Sequence, residues 1–154
     1  MIDFLLYTME YKGDFIDSDI SLKQYTDCCF EEYKRIYEDC FFEMRSALGL
    51  LPINACDSRE ELLKKSNDIY IYIENGSMIG SVAIFGNEID ELIVAKEFQR
   101  KGYGQMLLNF AISHIQKNSV SPISLCVTDW NKGAINMYLK NGFQIMKTEQ
   151  IKGA

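Results

Sequence analysis

A single α/β domain whose central sheet is mixed and mostly antiparallel, with helices flanking it, is the fold class this sequence predicts. Three observations lead there. The length of 154 residues suits one domain, since domains usually run roughly 100 to 200 residues. The apolar period changes from helical spacing to alternation near residue 69 and returns to helical spacing near residue 102. Beyond that point helix, strand, helix and strand follow in order, a pattern that layers helices on a sheet.

The first segment, Asp3 to Tyr11, is apolar and β-compatible and leads to Gly13 and Asp14, so it reads as a strand and a turn. From Ser21, a candidate N-cap, the pattern is helical, with Leu22, Tyr25, Cys29, Tyr33, Ile36, Tyr37 and Cys40 on one face. That helix, or two abutting ones, is expected to end near Gly49 and Pro52. Ser58 begins a short helix with Glu60 and Glu61 in its first turn, where the dipole favours acids.

Ile69–Glu74, Met78–Phe85 and Glu88–Ala95 then read as an antiparallel meander, turned at Asn75-Gly76 and Gly86-Asn87. Gly102 to Lys117 is helical and buries Leu107, Leu108, Ala111, Ile112 and Ile115. Ile123–Thr128 is an apolar strand expected inside the sheet. A helix over Lys132–Lys140 stops at Gly142, placed for a left-handed cap, and Phe143–Thr148 is the last strand.

Composition narrows function. The chain is 47% hydrophobic and 25% charged with 2 prolines, which argues for folding over disorder. No stretch approaches about 18 apolar residues, so neither a membrane span nor a signal peptide is expected, and a cytoplasmic location is. Five cysteines without a C-x-x-C pair suit free thiols. With His114 the only histidine, no zinc or other metal site is expected.

The net charge of −6 is uneven: residues 1–87 carry 16 acids and 8 bases, and residues 88–154 carry 6 acids and 8 bases. This argues against nucleic-acid binding, which usually shows a basic stripe. It fits an anion held by the second half and a cation attracted by the first.

The segment Leu92 to Gly104 carries the chemistry. A strand, a polar glycine-bearing loop and a helix start follow one another there, and the first amides of a helix have no internal partners. Gly102 and Gly104 let backbone approach a phosphate closely, while Arg100 and Lys101 add positive charge. A dinucleotide fingerprint would need glycine where Leu107 stands, and the P-loop's Gly-Lys-Ser/Thr is absent. Alone, the glycine pair would describe only an ordinary helix start.

A second segment runs from Val127 to Phe143. Together the two resemble the GNAT superfamily of acetyl-CoA-dependent N-acetyltransferases. Gln99, Gly102 and Gly104 match that family's pyrophosphate loop, Q/R-x-x-G-x-G/A. Asn131, Ala134, Tyr138, Gly142 and Phe143 match its N-x-x-A-x-x-x-Y-x-x-x-G-F pattern. The resemblance covers Glu88 to Phe143, whereas residues 1–60 agree only in the order of a strand and then helices, where the family places its variable acceptor site.

The resemblance implies acetyl-CoA as co-substrate and a primary amine as acceptor, attacked directly in a ternary complex. It makes Tyr138 the general acid at the coenzyme's sulfur. Asn131 and Ala134, with Gln99, Arg100, Lys101, Gly102, Tyr103 and Gly104, contact the coenzyme, and the amides of Ile93 and Val94 hold its pantetheine arm on a bulged strand. The base is a carboxylate of the fourth strand, with Glu91 preferred and Asp90 and Glu88 as rivals. Because Asp90 and Glu91 alternate, one is expected to face the cleft and the other away.

A non-catalytic acyl-CoA-binding sensor with the same fold is the alternative, and a longer acyl group is a third. His114 and Cys126 are read as structural, the latter as a small buried hydrophobe. Trp130 and the aromatic first helix read as core filling in preference to an acceptor pocket. The family commonly has one more strand after Phe143–Thr148. The chain stops at Ala154, so the sheet is expected to be shortened, or completed by the partner of a homodimer, or ended by a stub.

Overall fold

The computed structural model describes residues 1–118 and 122–153. Seven strands form one sheet: β1 (Phe4–Tyr11), β2 (Lys23–Gln24), β3 (Ile69–Glu74), β4 (Ser77–Phe85), β5 (Glu88–Val94), β6 (Ser124–Thr128) and β7 (Phe143–Ile151). The helices are α1 (Phe30–Leu48), α2 (Arg59–Lys64), α3 (Tyr103–Asn118) and α4 (Lys132–Lys140). The strand order is β2-β3-β4-β5-β6-β1-β7. Every pairing is antiparallel except β5 with β6, so the mixed, mostly antiparallel sheet is observed. No described helix is long and apolar enough to cross a membrane.

Two expectations change. The helix begins at Phe30, not at Ser21, because Lys23 and Gln24 pair with Ile71 and Tyr70 of β3 and the Tyr25 amide donates to the Ile69 carbonyl. Those strand bonds use backbone groups that helical continuation would need. The second concerns the end of the sheet, where a shortened sheet, a partner's strand or a stub was expected: β7 runs on from Thr148 to Ile151, and β1 lies between β6 and β7, pairing Tyr7 with both Val127 and Thr148. The Asp129 amide donates to the Leu5 carbonyl at 2.9 Å, and the Leu5 amide donates to Asp129 Oδ1 at 3.1 Å, locking β1 to the end of β6.

Helices cover both sheet faces. On one, Leu107, Leu108, Ala111 and Ile112 of α3 and Ile135 of α4 pack against Val82, Ile84, Leu125 and Val127. On the other, Tyr33 and Ile36 of α1 and Leu62 of α2 pack against Ile69, Ile71, Met78 and Ala83. Each fully buried aliphatic side chain contributes roughly 1.5–3 kcal/mol. Local signals act as read: Ser58 and Glu61 form a reciprocal capping box. Gly142, at φ 93°, follows α4 in the left-handed region, and a Cβ there would meet Tyr11 Cε1 at 3.1 Å.

Candidate active site

The site begins with a break in the sheet. β5 and β6 run parallel but meet only at Glu88 and Ser124, then separate. β5 also carries an extra residue against β4, the register changing between Ser81/Ile93 and Ala83/Asp90. Glu91 sits in that bulge at φ 48°, a left-handed conformation costing about 1–3 kcal/mol for a non-glycine residue. Its amide donates to Asp90 Oδ1 at 2.8 Å.

The bulge reverses the inside-outside alternation. Ile89 packs in the α3 core and Ile93, four residues on, in the α1 core. The expectation that Asp90 and Glu91 face opposite ways therefore fails, because alternation holds only in a regular strand, and both line the cleft that the separation opens. Glu88, the other rival, does not line it.

The cleft has a volume of about 620 Å³. Of the residues the sequence singled out, Glu91, Val94, Gln99, Arg100, Gly102, Gly104, Asn131, Ala134 and Tyr138 line it, and Ile93, Lys101 and Tyr103 do not. Ala95 donates to Ile79 of β4, so by ladder alternation Ile93, two residues back and opposite Ser81, also turns its amide to β4. Val94 faces the split, its carbonyl accepting from Gln99 Nε2 at 2.9 Å and Cys40 Sγ at 3.1 Å. Of the two amides named from the resemblance, Ile93's is thus used on β4 and only Val94's is turned to the split. Lys101 lies over the Phe98 ring at 5.8 Å, and the Tyr103 hydroxyl turns to Glu74 at 3.4 Å.

At the loop, Arg100 at φ 61° and Gly102 at φ 91° turn the chain into α3. The Met106 amide donates to the Gly102 carbonyl, which makes Tyr103, Gly104 and Gln105 the first turn. Among the described residues none accepts from those three amides. A Cβ on Gly102 would meet nothing within 4 Å, so the space in front of the turn is open. Three unpaired amides at the positive end of a helix dipole, with Arg100 beside them, fit an anion with several acceptor oxygens, such as a diphosphate.

Tyr138 stands on the α4 wall of the cleft, its ring 5.8 Å from that of Phe143. Its hydroxyl has no hydrogen-bond partner among the described residues. Burial, and then the Asp90 carboxylate, push the phenol up to about 12, so it stays protonated. Asn131 caps α4, its Oδ1 accepting from the Ala134 amide at 3.2 Å. Trp130, 40% exposed, and Cys126 also line the cleft. Both were expected in the interior, but Cys126 alternates away from the buried Leu125 and Val127 on β6, and Trp130 stands in the turn between that strand and α4. His114 stays structural, 3.4 Å from the Tyr70 hydroxyl and stacked on Phe110.

On the α1 side, Glu91 joins a cluster that sequence reasoning did not assemble. The hydroxyls of Tyr33 and Tyr37 donate to it at 3.5 and 3.4 Å, and Lys65, which is ion-paired with Asp57, lies 4.0 Å from Oε1. Burial raises the Glu91 carboxyl above its ordinary value; Lys65 opposes the shift while Asp90 and Asp57 add to it. Burial, then Glu91, likewise raises both tyrosine phenols. Tyr33 and Tyr37 are one helical turn apart, the only sequence signal that pairs them.

Comparison with known proteins places this geometry. The model of the "Acetyltransferase (GNAT) family" matches residues 25–143, more than half of the chain. The chain belongs to that family. It is 30% identical over 107 residues to the L-ornithine N5-acetyltransferase NATA1 of Arabidopsis thaliana, covering 63% of this chain and 44% of that protein. An uncharacterised N-acetyltransferase of Methanocaldococcus jannaschii is 34% identical over 104 residues, covering 60% and 45%. The chain thus spans a little under half the length of these two relatives. The PaiA N-acetyltransferase of Thermoplasma acidophilum, solved in complex with coenzyme A, shares the fold at TM-score 0.67 and 21% identity, covering 84% and 92% of the two chains. The fold is therefore shared at an identity of 21%.

Proposed function

We propose that this protein transfers an acetyl group from acetyl-CoA to a primary amine by direct attack within a ternary complex. The observation that carries the reading is the split between β5 and β6, where an anion cradle at the start of α3 and a free, protonated Tyr138 phenol open onto one cleft. Gln99, Arg100, Gly102 and Gly104 would hold the diphosphate, with the amides of Tyr103 and Gln105. Val94 would hold the pantetheine arm, and Asn131 and Ala134 shape the wall opposite. The coenzyme supplies an activated acyl group as a thioester.

The amine must first lose its proton. An alkylammonium of pKa near 10.4 is neutral at pH 7 in only about one molecule in 2,500, a cost of about 4.6 kcal/mol. Glu91 takes that proton directly or through a water, and its raised pKa brings it nearer the range in which a general base works. The Val94 amide, turned to the split, donates to the oxygen on which charge develops. Tyr138 donates to the departing sulfur. A phenol raised to about 12 facing a thiol near 8.5 makes complete proton transfer uphill, so its contribution is a hydrogen bond that strengthens as the sulfur gains charge.

A cationic acceptor fits the carboxylates of Glu43, Asp90 and Glu91, which line the cleft. The relative named for L-ornithine acts on a cationic amine. Thiol release from acetyl-CoA, measured across a panel of diamines, polyamines, amino acids and peptide N-termini, tests the reading. Release with a cationic amine is expected. Coenzyme binding without release for any amine would instead favour the sensor.

A further inference from the structure

The two ends of the sheet differ. At one, β2 is two residues long and carries Lys23, a short charged edge that resists pairing. At the other, β7 is nine residues long without proline, and its side chains are exposed from Gln144 to Thr148. A long exposed edge presents unpaired amides and carbonyls that template another strand.

Which groups point outward follows from the bonds of β1. Tyr11 donates to Ile123, and Leu5 accepts from Asp129, so the odd residues of β1 bond toward β6. Lys12 donates to Gly142, so the even residues bond toward β7. Thr8 and Leu6 stand opposite Lys147 and Glu149, which therefore use their backbone groups on β1. By alternation, the amides and carbonyls of Thr148 and Gln150 face the open edge.

We propose that β7 pairs antiparallel with β7 of a second copy of this chain, with the two-fold axis at Thr148. Registers centred on Lys147, Thr148, Glu149 and Gln150 compete. An axis at Gln150 sets Glu149 opposite Ile151 and pairs no opposite charges, and charge separates the other three. An axis at Lys147 sets Lys147 against itself, and an axis at Glu149 sets Glu149 against itself, both repulsive. An axis at Thr148 bonds the two Thr148 residues to each other and sets each Lys147 opposite Glu149 of the second copy. Lys147 Nζ already lies 3.6 Å from Glu149 Oε1 within one chain, so the four side chains form an alternating network. Ile145 and Met146, 41% and 51% exposed, flank it at the bulge opposite Thr8 and Met9. The interface is isologous and closes as a dimer, and it does not depend on the catalytic reading.

Sedimentation of the full chain from about 1 µM to 1 mM tests the proposal. The expected result is a concentration-dependent doubling of mass. Thr148→Pro removes an outward donor that β1 does not use, and it should weaken the dimer at least tenfold with an unchanged circular dichroism spectrum. Lys147→Glu alone should do the same, and adding Glu149→Lys should restore the dimer. A chain monomeric throughout, or a dimer indifferent to both Thr148→Pro and Lys147→Glu, overturns the proposal. A double exchange that fails to restore pairing overturns the register, because only the Thr148 axis couples the two positions.

Discussion

The two walls of the cleft are built differently. The wall proposed for the coenzyme is nearly contiguous: Val94 to Gln105 is one strand end, one loop and one helix start, and Asn131 to Tyr138 is one capped helix. On the α1 side Cys40, Phe41, Glu43 and Met44 line the cleft with Glu91, and behind Glu91 lie Tyr33, Tyr37, Asp57 and Lys65, gathered from separate stretches. Local geometry is set by neighbouring residues, so its parts are recognisable from spacing. An assembled wall exists only after the sheet has brought distant elements together.

Substitutions on the two walls should therefore fail differently. The largest effect belongs to Tyr138→Phe, expected to lower turnover about 10- to 10⁴-fold while leaving coenzyme affinity nearly unchanged; kcat from thiol release and Kd from calorimetry check it. Unchanged turnover removes Tyr138 from the acid role. Glu91→Gln should lower turnover about 10²- to 10³-fold, again with little change in coenzyme affinity, and a rate equal to wild type would hand the base role to Asp90.

Gly102→Val belongs to the contiguous wall and should act on binding. At φ 91° a β-branched residue is strained by about 1–3 kcal/mol, and its side chain enters the open space before the α3 amides. Coenzyme affinity is expected to fall roughly 10- to 100-fold, and unaltered affinity would count against the cradle.

The smallest effects concern pH. Glu91 acts as a base only when ionised, and its raised pKa places the acid limb of kcat/KM above the ordinary carboxylate range, with activity lost as pH falls through it. Lys65→Met removes the cation that favours ionised Glu91, so the limb should move to higher pH. Tyr37→Phe removes one hydrogen bond to the carboxylate and should move it the same way by less. A limb that stays in place in Lys65→Met would detach Lys65 from the base.

The same division governs what could be read in the sequence. The meander, with Asn75 and Gly76 both at positive φ, the helices after it and the glycine-bearing turn into α3 were legible because each rests on local chemistry. The bulge at Glu91 was expected only through the family resemblance, and plain alternation placed Asp90 and Glu91 wrongly. Strand order is not local. Nothing in Phe4–Tyr11 says that it inserts between β6 and β7, and the helical pattern from Ser21 to Cys29 is overridden by backbone bonds to a strand more than forty residues away. Cys126 and Trp130 followed a burial rule that fails where a sheet splits.

Isothermal titration of the protein with coenzyme A and, separately, with pantetheine tests the cradle most directly, because pantetheine lacks the diphosphate. Measurable binding of coenzyme A and at least tenfold weaker binding of pantetheine is the predicted result. Absence of heat at millimolar coenzyme A, or equal affinity for the two, would contradict it.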